Sequence, residues 1–277
     1  MNIINNKFII KDKIGNGKFG EVYKGFQIKT KEIVAIKMES LDNKFRILKR
    51  ETTILNYLSR NKIKQIPKIY WYGSFNNNTC TIMQFFSINL LDYISNNNFA
   101  NSKILHIMRE CIIILKNIHN SEILHRDIKP QNFMVENGII YIIDFGLSIF
   151  YKDEDHNHII KKDPKNITGT PRYTSYFNHN GEESSRRDDL ISLGYVFMLF
   201  IFKSLSWDIH NDYDFTSQHY YECSVFHPKN VFRKKQKSME NIVDFLTSHN
   251  NLIQYFNYCY SLNFDENPDY NYLLQIL

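Results

Sequence analysis

The segment from His125 to Asn132 reads HRDIKPQN and places three side chains of different chemistry within six residues. The carboxylate of Asp127 can accept the proton of an attacking hydroxyl group or orient that group. The ammonium group of Lys129 can neutralise charge on a phosphate, and the amide oxygen of Asn132 can hold a magnesium ion. A fold that uses all three must present them from one loop, and we expect His125 to support this loop rather than to react.

A further carboxylate follows at a fixed distance. Asp144 opens the triplet DFG 17 residues after Asp127, and the apolar run Ile139–Ile143 precedes it. The run predicts a buried strand, and a carboxylate at the end of such a strand is well placed to bind magnesium. We therefore predict a short strand pair after the loop, with Asp144 as a metal ligand.

Glycines are concentrated in one early turn, GNGKFG, which is followed by Val22. Glycines let backbone amides come close to phosphate oxygens. A dinucleotide-binding fold would continue as a helix, whereas residues 21–23 continue as a strand, which favours a hairpin. Read alone, the turn leaves phosphate binding and a purely structural turn equally open. The candidate nucleotide contacts are Gly15, Asn16, Gly17, Lys18, Phe19 and Gly20.

The strand VAIK ends in Lys37, which is either a solvated strand end or a ligand for the α- and β-phosphates of a nucleotide. Glu51 lies 14 residues later on a predicted helix and is the natural partner of Lys37. Glu39 and Glu32 are less suitable because they lie on or beside the strand itself.

Apolar spacing changes along the chain. Before residue 86, β-branched and aromatic residues predict mostly strands, with one helix over 45–58. Beyond that point the pattern predicts mainly helices, at 104–119, 190–202, 239–248 and 252–262. We predict an α+β fold in which a small β-rich part, 1–85, precedes a larger helical part, 86–277.

The composition of the chain excludes few classes of protein or partner. The net charge of +5 and the pI near 8.8 are compatible with acidic or phosphorylated partners, and equally with simple solubility. The apolar run 190–202 is too short to span a bilayer, so we expect a buried helix and no membrane span. The four cysteines show no metal-binding spacing, and no secretory signal is visible. We therefore expect reduced thiols and a cytosolic or nuclear location.

The segment GTPRYTSYFNHNGEESSRRDDLISLGY, residues 169–195, resembles the casein kinase 1 family of protein kinases, as does YCYSLNFDENPDYNYL, residues 258–273. The resemblance runs over nearly the whole chain. It implies a single bilobal kinase domain over 1–277, ATP with Mg²⁺, and transfer to serine or threonine of acidic or phospho-primed proteins. Lys129 points to the same acceptor specificity.

The resemblance also implies roles for residues outside the motifs. Arg172 would belong to the anion site that reads the substrate, with a structural salt bridge as the alternative, and Asp189 would brace the catalytic loop. Met83 would be the gatekeeper of the adenine pocket. The hinge would comprise Gln84, Phe85 and Phe86, and the adenine ring would be sandwiched by Ile14, Val22, Ala35 and Met134.

Some segments depart from the family pattern. Residues 208–230 do not follow its lysine-rich sequence, so a second anion-binding lysine cannot be assigned. The basic run Arg233, Lys234, Lys235 and Lys237 could compensate, or could be a solvated surface or a nuclear-import patch. We expect a short, divergent member without a regulatory tail. Because Ser148 is the only serine or threonine between Gly146 and Thr168, we also expect activity without phosphorylation of that segment.

Two other classes of function remain as alternatives. A nucleotide-binding pseudokinase would keep the fold without transferring phosphate, although Lys37, Asp127 and Asp144 are all present. A basic adaptor would act through residues 233–237. We expect protein substrates, no direct nucleic-acid partner and a monomer.

Overall fold

The computed structural model describes residues 3–17, 20–43, 46–164, 166–209 and 224–277. The chain forms two compact units, each with its own core. The first contains Met1–Leu90 and Phe133–Ser148, and the second contains Leu91–Asn132 and Ile149–Leu277. Residues 133–148 thus pack with the first ninety residues rather than with their neighbours in sequence.

Antiparallel strands dominate the first unit. Six of them form one sheet in the order β1-β2-β3-β4-β6-β5. These are β1 (Ile3–Ile4), β2 (Phe8–Gly17), β3 (Gly20–Gln27), β4 (Ile33–Ser40), β5 (Ile69–Phe75) and β6 (Asn78–Gln84). A smaller sheet pairs β7 (Ile88–Asn89), β9 (Phe133–Glu136) and β10 (Ile139–Ile142) in the order β10-β9-β7. The strand pair predicted after the catalytic segment is therefore present.

The two faces of the six-stranded sheet differ in character. Alternate residues of its strands point to one face, where Ile4, Phe8, Ile10, Val34, Ile36 and Ile82 form a buried core. Helix α1 (Ile47–Arg60) packs on the sheet and buries Leu48, Ile54, Leu55 and Leu58. Each fully buried aliphatic side chain contributes roughly 1.5–3 kcal/mol, so the sheet and α1 form a stable platform.

Helices make up most of the second unit. They are α3 (Asn101–Asn120), α4 (Tyr176–His179), α5 (Arg186–Phe202), α6 (Pro228–Gln236), α7 (Met239–Leu246), α8 (Asn250–Ser261) and α9 (Tyr270–Ile276), while α2 (Leu90–Ser95) starts where the first unit ends. The short strands β8 (Ile123–Leu124) and β11 (Ile149–Phe150) pair with each other. The predicted helices match α3, α5, α7 and α8 within about four residues.

Helix α5 forms the centre of this unit. Every residue from Arg186 to Phe200 is buried. Beyond the charged first turn this is expected, because the helix is apolar on all sides from Leu190 onward. A capping box between Ser185 and Asp188 fixes its start. Among the described residues, none of the helices combines the length and the apolarity that crossing a membrane requires.

Candidate active site

Lys37 of β4 and Glu51 of α1 form a buried ion pair in the first unit. The Nζ atom of Lys37 lies 2.6 Å from Oε1 of Glu51 and 3.2 Å from Oδ1 of Asp144. Burial lowers the pKa of Lys37, but the charges of Asp144 and Glu51 outweigh burial and raise this pKa above its ordinary value. Lys37 therefore stays an ammonium group, suited to binding phosphate oxygens, and the predicted Lys37–Glu51 pair is present.

The two competing glutamates have other partners. The carboxylate of Glu39 accepts hydrogen bonds from the backbone N–H groups of Ile47 and Leu48, at 3.1 and 3.0 Å. It thereby caps α1, whose own N-cap residue provides no side-chain bond. Glu32 accepts a hydrogen bond from the hydroxyl group of Tyr70. Glu51 is thus the glutamate that pairs with Lys37.

Asp144 follows β10 in a left-handed backbone conformation, with φ of 68° and ψ of 67°. Its side chain is 32% exposed, so the carboxylate can reach a cation from solvent. The short 3₁₀ turn Phe145–Leu147 comes next, and Phe145 is fully buried. Arg50 of α1 donates to the carbonyl oxygen of Gly146. An accessible carboxylate on a fixed turn fits the predicted magnesium ligand.

The sheet face opposite the apolar core carries most of the predicted adenine contacts. Strand register pairs Val22 with Lys37, and Ala35 with Met83, so these side chains share one face. Ile14 of β2 is half exposed. The β2–β3 hairpin pairs Gly15 with Val22, Asn16 with Glu21 and Gly17 with Gly20, whereas Lys18 and Phe19 lie outside the described residues.

Two glycines of this hairpin differ in how strongly the structure requires them. A Cβ atom on Gly20, where φ is +136°, would lie 2.1 Å from the carbonyl oxygen of Met38, so only glycine fits there. A Cβ atom on Gly15 would meet only Val22, at an ordinary 3.6 Å. Sheet packing therefore explains Gly20 but does not by itself require glycine at position 15.

The predicted hinge begins at Gln84, the last residue of β6. Gln84 donates from Nε2 to the carboxylate of Glu136 at 2.8 Å, and the ammonium group of Lys24 lies 5.0 Å from the ring centroid of Phe85. The ring of Phe86 is buried 4.8 Å from that of Tyr141. Met134 lies in β9, where it pairs with Asn89 and Tyr141.

In the second unit, the carboxylate of Asp127 is the centre of a polar cluster. It accepts from Lys129 Nζ at 2.7 Å, from Thr170 Oγ1 at 2.7 Å and from Asn132 Nδ2 at 3.3 Å. Asn132 Nδ2 also donates to the Asp127 backbone carbonyl at 2.8 Å. Because the amide nitrogen of Asn132 acts as the donor, its amide oxygen is the atom that can coordinate magnesium. The structure thus brings Asp127, Lys129 and Asn132 together as predicted.

Asp189 of α5 holds the backbone of this loop. It accepts from the N–H groups of His125 at 2.8 Å and Arg126 at 2.9 Å, and from His119 Nε2 at 3.0 Å. Burial raises the pKa of Asp189, but these hydrogen bonds and the nearby histidines together lower it below its ordinary value. An ionised Asp189 therefore fixes the loop, which confirms the predicted brace.

Thr170 is a site residue that the sequence alone did not identify. Besides its bond to Asp127, it lies 3.4 Å from Lys129 Nζ. Gly169 before it has a φ of +95°, and a Cβ atom there would lie 2.5 Å from the carbonyl oxygen of Arg126. The only sequence signal was the position of this Gly-Thr pair at the start of the segment 169–195.

The backbone after Thr170 is held by buried donors. Lys237 Nζ donates to the carbonyl oxygens of Pro171 at 3.0 Å and Thr174 at 2.7 Å, and Trp207 Nε1 donates to that of Arg172 at 2.7 Å. The Lys237 side chain is fully buried. Its Nζ atom lies about 5 Å from the ring centroids of Tyr195 and Trp207.

This arrangement corrects one expectation about the basic run at 233–237. A solvated or nuclear-import patch requires exposed side chains, yet Arg233 and Lys237 are buried, at 3% and 0% exposure. Lys235 is exposed and Lys234 is partly so. Only half of the run is therefore available to a partner, because α6 turns its other face into the unit.

Arg172, the predicted anion-site residue, forms a bidentate ion pair. Its Nε and Nη2 atoms donate to the two carboxylate oxygens of Asp208, at 2.7 and 2.6 Å. This is the geometry of the salt-bridge alternative. An anionic substrate group would have to compete with Asp208 for the same two donors.

One comparison with known proteins bears on the whole site. A family model described as protein kinase domain matches residues 8–263. The match contains the candidate residues of the first unit, Lys37, Glu51 and Asp144, and those of the second unit, Asp127, Lys129 and Asn132.

Proposed function

Because the chain belongs to the protein kinase family, we propose that it is a serine/threonine kinase of casein kinase 1 type, acting on acidic or phospho-primed proteins. The observation that supports transfer most is the cluster around Asp127, where a carboxylate, an ammonium group and an amide converge. Phosphoryl transfer needs positioning and charge stabilisation rather than covalent chemistry by the protein.

The proposed roles are those that the kinase motifs imply, and the geometry within each unit supports them. Lys37 would hold the α- and β-phosphates of ATP, and Asp144 and Asn132 would each contribute an oxygen to Mg²⁺. The magnesium ion, when bound, neutralises charge on the phosphates. Asp127 would orient the acceptor hydroxyl, and Lys129 would stabilise the transferring phosphate. Thr170 fixes the Asp127 carboxylate through a hydrogen bond to Oδ1.

We test acceptor specificity with radiolabelled ATP, casein and a phospho-primed peptide, followed by phosphoamino-acid analysis. Label in phosphoserine or phosphothreonine is expected. Label in phosphotyrosine would contradict the serine/threonine assignment without affecting the family.

We also propose that activity requires no phosphorylation between Gly146 and Thr168. Ser148, the candidate acceptor in that segment, is fully buried. Arg126, beside the catalytic aspartate, lies 3.6 Å from the carboxylate of Glu183, which supplies a negative charge without modification. Bacterially produced protein should keep its kcat after phosphatase treatment, and loss of activity would refute this point.

We further propose that the kinase is located in the cytosol or nucleus. Imaging of the tagged protein would test this location, and a membrane or secreted signal would refute it.

A further inference from the structure

Arg172 and Asp208 form an ion pair with two-point geometry that solvent can reach. Each of two guanidinium nitrogens faces one carboxylate oxygen, a geometry that gives both strength and specificity. The Arg172 side chain is 19% exposed and that of Asp208 is 28% exposed. Solvent, and therefore a dissolved anion, can reach the pair.

Both partners are held in place by other groups. Asp208 Oδ2 accepts from the backbone N–H of Leu205 at 3.0 Å, which fixes the carboxylate. Arg172 donates from Nη1 to the Tyr173 hydroxyl at 3.3 Å, and its carbonyl oxygen accepts from Trp207. Such fixed pairs contribute more than the mobile ion pairs that are common on surfaces.

We propose that the Asp208 carboxylate occupies the anion-binding position of the Arg172 guanidinium group. An anionic group of the substrate must displace Asp208 from this position, so that the site favours phosphate over carboxylate. The inference rests on the proposed function, since it assumes that Arg172 reads the substrate.

The preference follows from the exchange itself. A substrate carboxylate offers the guanidinium group the same two oxygens and the same single charge as Asp208, so the exchange gains little. A phosphate monoester offers three oxygens and a charge of about −1.5 to −2 at pH 7. A phosphate monoester therefore competes with Asp208 better than a carboxylate does, and Asp208 makes the kinase selective for primed substrates over merely acidic ones.

The test compares three peptides that differ at one position: phosphoserine, aspartate or alanine, scanned over the residues that flank an acceptor serine. We measure kcat/KM for each peptide and compare ratios within each enzyme variant. The wild type should prefer the phosphoserine peptide by roughly tenfold and use the aspartate and alanine peptides about equally. In Asp208→Asn the aspartate peptide should gain roughly three- to tenfold over the alanine peptide.

Two further variants separate the possible outcomes. Arg172→Gln should give similar kcat/KM values for all three peptides. Asp244→Asn is the control: it removes the same charge from an exposed position of α7 and should keep the wild-type ratios. If Asp208→Asn keeps the wild-type ratios while Arg172→Gln removes the phosphoserine preference, Asp208 does not compete and the inference is overturned. If Arg172→Gln keeps the wild-type ratios, Arg172 does not read the substrate and the inference fails with it. Absence of any transfer by the wild type would instead overturn the proposed function.

Asparagine retains an oxygen for the Leu205 N–H group, so Asp208→Asn should fold. Its melting temperature is measured alongside. If that variant melts early, Asp208→Ser takes its place, because serine also retains an acceptor and removes the charge. Unchanged ratios in a folded Asp208→Ser protein would overturn the inference in the same way.

Discussion

Lys237 shows how much a single side chain can organise within the second unit. It donates to two carbonyl oxygens of the segment that follows Thr170, and Thr170 in turn bonds to the carboxylate of Asp127. Burial lowers the pKa of Lys237 well below its ordinary value. The cost of burying this amine is offset by hydrogen bonds to carbonyl groups and by two aromatic rings.

At this scale we predict that Lys237→Met lowers the free energy of unfolding by roughly 2–4 kcal/mol, because methionine fills the volume but removes donors from the carbonyls of Pro171 and Thr174. Urea unfolding at pH 7 measures the change. Lys235→Met, the same substitution at an exposed position of α6, should change stability by less than about 0.5 kcal/mol. Equal losses of unfolding free energy in the two variants would show that the buried contacts of Lys237 add no stability beyond that of an exposed lysine.

The residues of the site differ in how far the sequence could predict them. Asp127, Lys129 and Asn132 lie within one short segment, so local spacing already places them together. Thr170, Lys237 and Asp208 meet their partners only through tertiary packing across 36 to 66 residues. In the sequence, Lys237 is one more lysine of a basic run, and nothing local distinguishes a buried lysine from an exposed one.

At the scale of elements, two tight connections position the catalytic loop. One is the start of α5, where Asp189 holds the backbone of His125 and Arg126. The other is the turn at Gly169, where the chain passes so close to Arg126 that no side chain fits. Both connections lie within the second unit.

The turn at Gly169 gives a second prediction. Gly169→Ala places a methyl group 2.5 Å from the Arg126 carbonyl oxygen, so the loop must shift and kcat/KM should fall by about 10- to 100-fold. Gly138→Ala is the matched control, since Gly138 also has a positive φ, of +76°, but open space around its Cβ position. It should cost only about 1 kcal/mol of stability and leave activity intact. Equal activity in the two variants would contradict a positioning role for the turn.

Elements were predictable to the extent that their apolar spacing is regular. Helices α3, α7 and α8 and the main strands have such spacing, whereas α5 was predictable from its apolar run. Helix α6 does not have such spacing, because its buried residues include Asn230 and Arg233, although Pro228 at its first turn was a usable signal. Helix α4 has only four residues, too few for any periodicity.

Across the chain, the candidate site residues fall into two sets, one in each compact unit. The first unit supplies Lys37, Glu51 and Asp144, and the second supplies Asp127, Lys129 and Asn132. The fold class was predictable because these motifs follow one another in a fixed order along the chain. The substrate stays a prediction, because residues 208–230 do not follow the family's lysine-rich pattern and Arg172 is paired with Asp208.

Nucleotide binding and phosphoryl transfer, measured in wild type and in Asp127→Asn, test most directly whether the protein is a kinase that uses Asp127. We expect both proteins to bind Mg²⁺–ATP with similar affinity by calorimetry, since Asp127 is assigned to the acceptor hydroxyl rather than to the nucleotide. Transfer to casein should fall by at least about 100-fold in the variant. Equal transfer by the two proteins would contradict the role of Asp127, and nucleotide binding without transfer by the wild type would show a scaffold rather than an enzyme.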